Sequence, residues 1–355
     1  MKNINPVIND HNFWELETSY VINEQIYNNQ EVEAFKRFSR FYWTDHLKKI
    51  AKDIQKRIGD IDQRKTHWSL IAPVNAGKSA LGIKIKELIE RNPVFIKCYN
   101  RPAFVPHIIA PERMTWKELE AELLFRIGIK KKARLENTGD LGRDIEDQLM
   151  NFHHDGLSKI VPLMIFDNFD KIVLERKEDI RYMLDGLLTL SQRVNCAILL
   201  VGTPDLLTAL KRNPSLSNRF PPLYIKSFEE QVFDIQNNPK IDELQKKNEI
   251  INILKEFRNI FYTYSYELAT GGEYKDIQWS FPNQIKNENL LSNKNCVDFF
   301  LTTCKGRLGE IFQTLRLAGM NVLESGDKAI TFNDICIARQ QLGMVFEDTT
   351  YQYSA

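Results

Sequence analysis

Ala72-Pro73-Val74-Asn75-Ala76-Gly77-Lys78-Ser79 lies between an apolar stretch, Trp68-Ser69-Leu70-Ile71, and a helical pattern over 80–91. The octet has the spacing of a phosphate-binding P-loop, with Ala72 at the first glycine position. Strand before and helix after is the context that gives the string meaning. A helix N-terminus offers unpaired N–H groups and the positive end of a dipole to a polyphosphate. Lys78 has the reach for the β- and γ-phosphates, and the Ser79 hydroxyl is a ligand for Mg²⁺. Ala72, Asn75, Ala76, Gly77, Lys78, Ser79 and Ala80 are therefore the expected nucleotide cradle. A strand–turn–helix without a ligand is the bland alternative; Gly77, Lys78 and Ser79 together argue against it.

The chain has 355 residues, enough for one large or two moderate domains. Its 48 basic and 47 acidic side chains nearly cancel, so a nucleic-acid surface has to be a local patch. No run of about 18 apolar residues marks a membrane span. The start, Met1-Lys2-Asn3-Ile4-Asn5-Pro6, lacks the apolar core of a signal peptide. Five cysteines (Cys98, Cys196, Cys296, Cys304, Cys336) show no metal-ligand spacing. Cys98 and Cys196 lie in apolar, strand-like runs and read as reduced core thiols. The expectation is a cytoplasmic protein with no membrane partner.

Working outward from the P-loop, further apolar runs read as strands over 93–98, 160–166, 196–201 and 222–225. Helical patterns separate them at 80–91, 116–127, 141–152 and 177–193, and another at 44–58 precedes the first. Alternation of strand and helix is the signature of a parallel sheet covered on both faces. The expected organisation is an aromatic-rich N-terminal arm over 1–44, an α/β nucleotide-binding core over 45–226, a helical lid over 227–345 and a tail over 346–355. Within the lid, helices are expected at 241–264, 295–303, 306–323 and 331–342, with a polar insertion near 265–294.

Met164-Ile165-Phe166-Asp167 is an apolar run ending in a carboxylate, the form of a Walker B strand whose acid holds Mg²⁺. Asn168 follows, an amide that can hold water but cannot take its proton. Thr203, just past the strand at 196–201, is placed to sense a γ-phosphate or water. Arg219, in Leu216-Ser217-Asn218-Arg219-Phe220, sits on a turn after the core and has the planar charged fork of an arginine finger. A surface Arg beside a Pro-rich turn is the competing reading.

The P-loop, the Asp167 strand, Leu200-Val201-Gly202-Thr203-Pro204, Leu216-Ser217-Asn218-Arg219-Phe220 and Gly306-Arg307-Leu308-Gly309-Glu310-Ile311, in that order, resemble the TniB/TnsC group of AAA+ transposition regulators. The resemblance covers about 35–345. It implies an AAA+ P-loop core with a C-terminal helical lid bundle. It also implies ATP and Mg²⁺ binding, with Ser79 and Asp167 on the metal. The assembly it implies is a homo-oligomeric ring or helical filament on double-stranded DNA, linking a target-selection protein to a transposase. Hydrolytic relatives usually carry Glu where Asn168 stands. Either hydrolysis is slow, or Asp170 or a neighbouring subunit supplies the base. Gly309 stands where many AAA+ proteins carry a sensor Arg, a role left to Arg307 or Arg316.

In this family DNA threads the core-domain pore along the segment before Walker B. Here that segment holds Lys117, Lys130-Lys131-Lys132-Ala133-Arg134, Thr138 and Arg143. Clustered cations neutralise phosphates without reading bases. Arg101 and His107, expected on the loop after the second strand, are weaker candidates. His153-His154 beside Asp155 reads as a helix-end pair rather than a metal site, because a third ligand is missing.

A replication initiator or loader would normally add a winged helix after the bundle, and about a dozen residues follow Leu342. A signalling or defence switch usually brings large repeat or effector domains. A small-metabolite kinase fits poorly with the helical bundle and Arg219.

Overall fold

The computed structural model describes residues 41–58, 66–110, 115–126, 153–154, 157–175, 179–226, 242–270, 294–325 and 330–342. The chain divides into two compact units, one spanning 43–226 among the described residues and the other containing those from 242 to 342.

The first unit opens with helix α1 (Asp45–Ile58), which buries Leu47, Ile50, Ala51, Ile54 and Ile58 along one stripe. Strand β1 (Trp68–Ile71) is buried at all four positions and runs through the P-loop into α2 (Lys78–Glu90). Then come α3 (Pro93–Tyr99), β2 (His107–Ile109) and α4 (Trp116–Arg126). A two-stranded hairpin, β3 (His153–His154) with β4 (Leu157–Ser158), precedes β5 (Leu163–Asp167). Helices α5 (Phe169–Glu175) and α6 (Asp179–Arg193) lead to β6 (Ala197–Gly202). Two short helices, α7 (Pro204–Lys211) and α8 (Pro214–Arg219), carry the chain into β7 (Pro222–Tyr224).

Five strands pair in the order β2-β5-β6-β1-β7, all parallel. Every residue of β5 and β6 is buried, as expected of central strands covered on both faces. The pleat divides them. Ile165 and Val201 approach Gly82 of α2, whereas Met164, Phe166, Ile198 and Leu200 join a core with Phe169, Leu184, Leu188 and Leu206. Parallel pairing sets the C-terminal ends of β1, β5 and β6 along one edge, and the chain turns there into its chemistry-bearing residues.

Several expectations from sequence need correction. The run 93–98 is helical, not a strand: the Asn92 side chain accepts from Val94 N and Pro93 opens the helix, a capping signature that outweighs the apolar composition. Cys98 is accordingly exposed, while Cys196 is buried. The strand beside β5 is β2, so His107 lies within a strand and not on a loop after one. His153 and His154 occupy an antiparallel hairpin strand rather than a helix end. Arg219 ends a helix capped by Asn213, not a turn.

In the second unit, α9 (Glu243–Thr270) continues past the helix end expected at 264. It is followed by α10 (Lys294–Thr302), α11 (Leu308–Ser325) and α12 (Phe332–Gln341). A capping box closes the start of α12: Asp334 N donates to Thr331 Oγ1, and Asp334 Oδ2 accepts from Thr331 N. Buried Arg339 donates to Glu310 Oε2 at 2.6 Å and to Thr303 O at 3.2 Å, and Arg307 meets Glu310 Oε1 at 3.1 Å. Arg307 is thus engaged by Glu310 within its own unit; Arg316 lies on α11. The helix expected at 141–152 and most of the 265–294 stretch lie outside the described residues.

Candidate nucleotide site

Gly77 adopts φ 85, the left-handed conformation that glycine enters without cost, and Asn75 adopts φ 61. These two turns reverse the chain after β1 and start α2 at Lys78. Lys78 is 7% exposed although it carries a charge, and its Nζ donates to Pro73 O at 3.5 Å. Burial pushes its ammonium down from the ordinary value; the carboxylates of Asp170 and Asp167 pull the other way. A buried cation at the start of a helix, with two carboxylates near enough for their charge to act on it, is an arrangement ready to meet phosphate oxygens.

Asp167, at the end of β5, is 2% exposed. Burial works to raise its carboxyl. The neighbouring His107 imidazole, the Ser79 hydroxyl and the Asn168 amide more than offset that, and hold it below the usual carboxylate range. Asn168 N donates to Asp167 Oδ1 at 2.8 Å. His107 Nε2 stands 3.6 Å from Asp167 Oδ2, too long for a hydrogen bond, and has no hydrogen-bond partner among the described residues. The register explains this neighbour, since His107 pairs with Ile165 and Ile109 with Asp167.

On the other side, Ala72 N donates to Gly202 O at 3.2 Å, so the start of the P-loop is fastened to the end of β6. Thr203 follows and donates its hydroxyl to Asp170 Oδ2 at 2.9 Å. Asp170 Oδ1 is buried and has no partner among the described residues. Asn168 itself adopts φ 56. Asparagine tolerates that left-handed conformation better than glutamate, which gives the residue at 168 a backbone reason beside its chemical one.

The structure therefore gathers Ala72, Asn75, Ala76, Gly77, Lys78, Ser79, Ala80, Asp167, Asn168 and Thr203 at one edge of the sheet. Arg219 is set apart from them, exposed at the end of α8 and tied to β1 through its neighbours: Ser69 Oγ donates to Phe220 O at 3.1 Å and Ser69 N to Pro221 O at 3.2 Å. Of the expected DNA contacts, Lys117 lies on α4; Lys130, Lys131, Lys132, Arg134, Thr138 and Arg143 fall outside the described residues. His107, expected on a loop, lies instead in a strand beside Asp167. Its pairing with a Walker B-like strand depends on β2, whose three residues are too short a signal for periodicity.

A parallel sheet in this strand order, with a P-loop after β1, an acid ending β5 and a polar residue after β6, defines the AAA+ ATPase fold. Solved structures agree on the fold. The ORC2 protein of Aeropyrum pernix, solved in ADPNP–ADP complexes, superposes with a TM-score of 0.54 at 12% identity, over 87% of this chain and 72% of that one. Cdc6p from Pyrobaculum aerophilum gives a TM-score of 0.53 at 13% identity, over 88% and 72%. No curated protein matches the sequence. A family model described as Bacterial TniB protein matches residues 35–230, more than half of the chain. The chain belongs to the TniB family. Among the described residues no helix is long and apolar enough to cross a membrane.

Proposed function

We propose that this protein binds ATP with Mg²⁺, assembles on duplex DNA without strong sequence preference, and links target-site selection to transposase recruitment in DNA transposition. The observation that carries the nucleotide reading is Lys78, buried at the start of α2 within reach of the Asp170 and Asp167 charges. The Ser79 hydroxyl is near enough to help lower the Asp167 carboxyl, so a hydroxyl and an ionised carboxylate lie together where a divalent cation would be held. Oxygen donors of this kind suit Mg²⁺, which would neutralise phosphate charge between them. The family relationship and the exposed Arg219, on a helix braced against β1, support a trans-acting role for that arginine toward a neighbouring subunit's nucleotide. Family context likewise supports contact of Lys117 and the 130–138 basic segment with DNA phosphates.

A mobility shift with random-sequence duplex DNA tests the proposal. Binding is expected with ATP and not with ADP, and Lys78→Ala is expected to lose nucleotide and DNA binding together. Replacing Lys130, Lys131 and Lys132 should weaken all sequences alike and flatten the salt dependence. An ATP-independent shift, or one confined to a single sequence, would contradict it.

A further inference from the structure

We infer that Thr203 and Asp170 form a two-step proton relay that accepts the proton of the attacking water during nucleoside triphosphate hydrolysis, the task for which Asn168 has no base. The inference rests on the P-loop reading above. Thr203 Oγ1 donates to Asp170 Oδ2 at 2.9 Å, with the hydroxyl as donor and the carboxylate oxygen as acceptor. A hydroxyl has one proton and two lone pairs. With its proton committed to Asp170, Thr203 turns an acceptor toward anything it meets at the sheet edge. It is therefore set to receive a hydrogen bond from water rather than to donate one to a phosphate oxygen.

Position agrees with this polarity. Gly202, one residue earlier, is bonded to Ala72 at the first position of the P-loop, so Thr203 stands beside the phosphate cradle. Asp170 is 7% exposed and lies close enough to Lys78 for its charge to act on that ammonium. Its Oδ1 is sealed from solvent and makes no hydrogen bond among the described residues. Leaving a buried carboxylate oxygen unpaired is costly, and a purely structural role for Asp170 would be served by a neutral side chain. Space for the carboxylate comes from Gly202, where a Cβ would come within 2.9 Å of Oδ1.

The step balances. The water oxygen bonds the terminal phosphorus as the bridging P–O bond breaks, and the electron pair of that bond stays on the departing nucleoside diphosphate. The water proton moves to Thr203 Oγ1 while Thr203 passes its own proton to Asp170 Oδ2. Release of that proton to solvent restores the pair.

The test uses the full chain with Thr203→Ser, Thr203→Val and Asp170→Asn. It reads ATP turnover with Mg²⁺ and duplex DNA, binding of a fluorescent ATP analogue, and urea unfolding without nucleotide. Thr203→Ser keeps the hydroxyl and should retain turnover within about threefold, whereas Thr203→Val and Asp170→Asn should each lose about 100-fold or more, as expected for loss of a general base. Analogue affinity should change less than about threefold in all of them, because the relay acts on the chemical step. The amide introduced by Asp170→Asn still accepts the Thr203 hydroxyl but cannot take its proton. Near wild-type turnover in D170N would therefore overturn the relay in favour of a positioning role. Losses of stability in Thr203→Val and Asp170→Ala, each of which removes the shared hydrogen bond, should be non-additive in the double variant; additive losses would show that the two side chains are not coupled, and overturn it. Turnover in mixtures of light and heavy water should bow, reporting two protons in motion, and a straight line would contradict the relay. Wild-type protein that binds the analogue yet never turns ATP over would also overturn it. Failure of the wild type to bind at all, or binding indifferent to Lys78→Ala, would instead bring down the P-loop reading beneath it.

Discussion

Gly202 is shaped to the carboxylate of Asp170. A Cβ at position 202 would come 2.9 Å from Asp170 Oδ1 and 2.8 Å from Leu206 Cδ2, closer than real contacts allow. The requirement is steric and not conformational, since the Gly202 backbone does not adopt a positive φ. Gly202→Ala is therefore expected to displace the Asp170 side chain and the first turn of α7, costing about 1–3 kcal/mol by overpacking. Urea unfolding measures the stability loss, and turnover measures the displaced Thr203 contact; an unchanged variant would show that the pocket around Asp170 can expand freely.

His67 gives a pH dependence. Burial pushes its imidazole down to about 4 from the ordinary 6.5, and the nearby Arg219 charge acts in the same direction. Its Nδ1 accepts from Ile198 N at 3.2 Å, and its ring lies 5.5 Å from Phe220. The unfolded chain thus binds a proton that the folded one refuses between these two values, so stability is full above about 6.5 and falls as pH drops toward about 4. Half-buried His46 is shifted in the same direction, with loss of hydration the largest cause. Urea midpoints measured across this range should fall less steeply for His67→Gln than for wild type. Parallel curves would contradict the burial argument.

How far could a reader of the sequence have gone? The strand–loop–helix around Lys78 was legible because motif and periodicity agree there, and the Asp167 strand and the strand before Thr203 were legible from length and apolarity. The run 93–98 misled because its apolar residues resemble a buried strand, while the deciding signal, Asn92 followed by Pro93, is a local cap. The contacts that complete the site, His107 with Asp167 and Thr203 with Asp170, join residues 60 and 33 positions apart in the chain. No spacing rule reports them; they follow from the order of strands in the sheet.

Thiol reactivity separates the five cysteines. Cys98 is exposed and the other four are buried. Burial pushes Cys296 and Cys304 up to about 12, Cys296 being raised further by Cys336 and Cys304 nearby. The thiolate is the reactive form, so native protein should titrate one thiol promptly with a disulfide reagent and five after denaturation. Fast labelling of more than one would show that the packing around the buried cysteines opens readily.

Glu310 is the hinge of the helical unit's buried charge network. It is 5% exposed, faces Arg339 at 3% exposure, and holds Arg307 as well. Glu310→Ala strands a buried guanidinium and is expected to cost about 3–5 kcal/mol, whereas replacing both Glu310 and Arg339 by Met should cost less. Chemical denaturation of the two variants compares them directly; equal losses would mean that the pair contributes through shape rather than charge.

The central claim, that nucleotide held by Lys78 governs assembly on DNA, is tested most directly by analytical ultracentrifugation of the purified chain with plasmid-length duplex and a slowly hydrolysed ATP analogue. A large nucleoprotein species is expected with the analogue, none with ADP, and none for Lys78→Ala under either condition. Wild-type protein that sediments as a free monomer at saturating analogue in the presence of DNA would contradict the account.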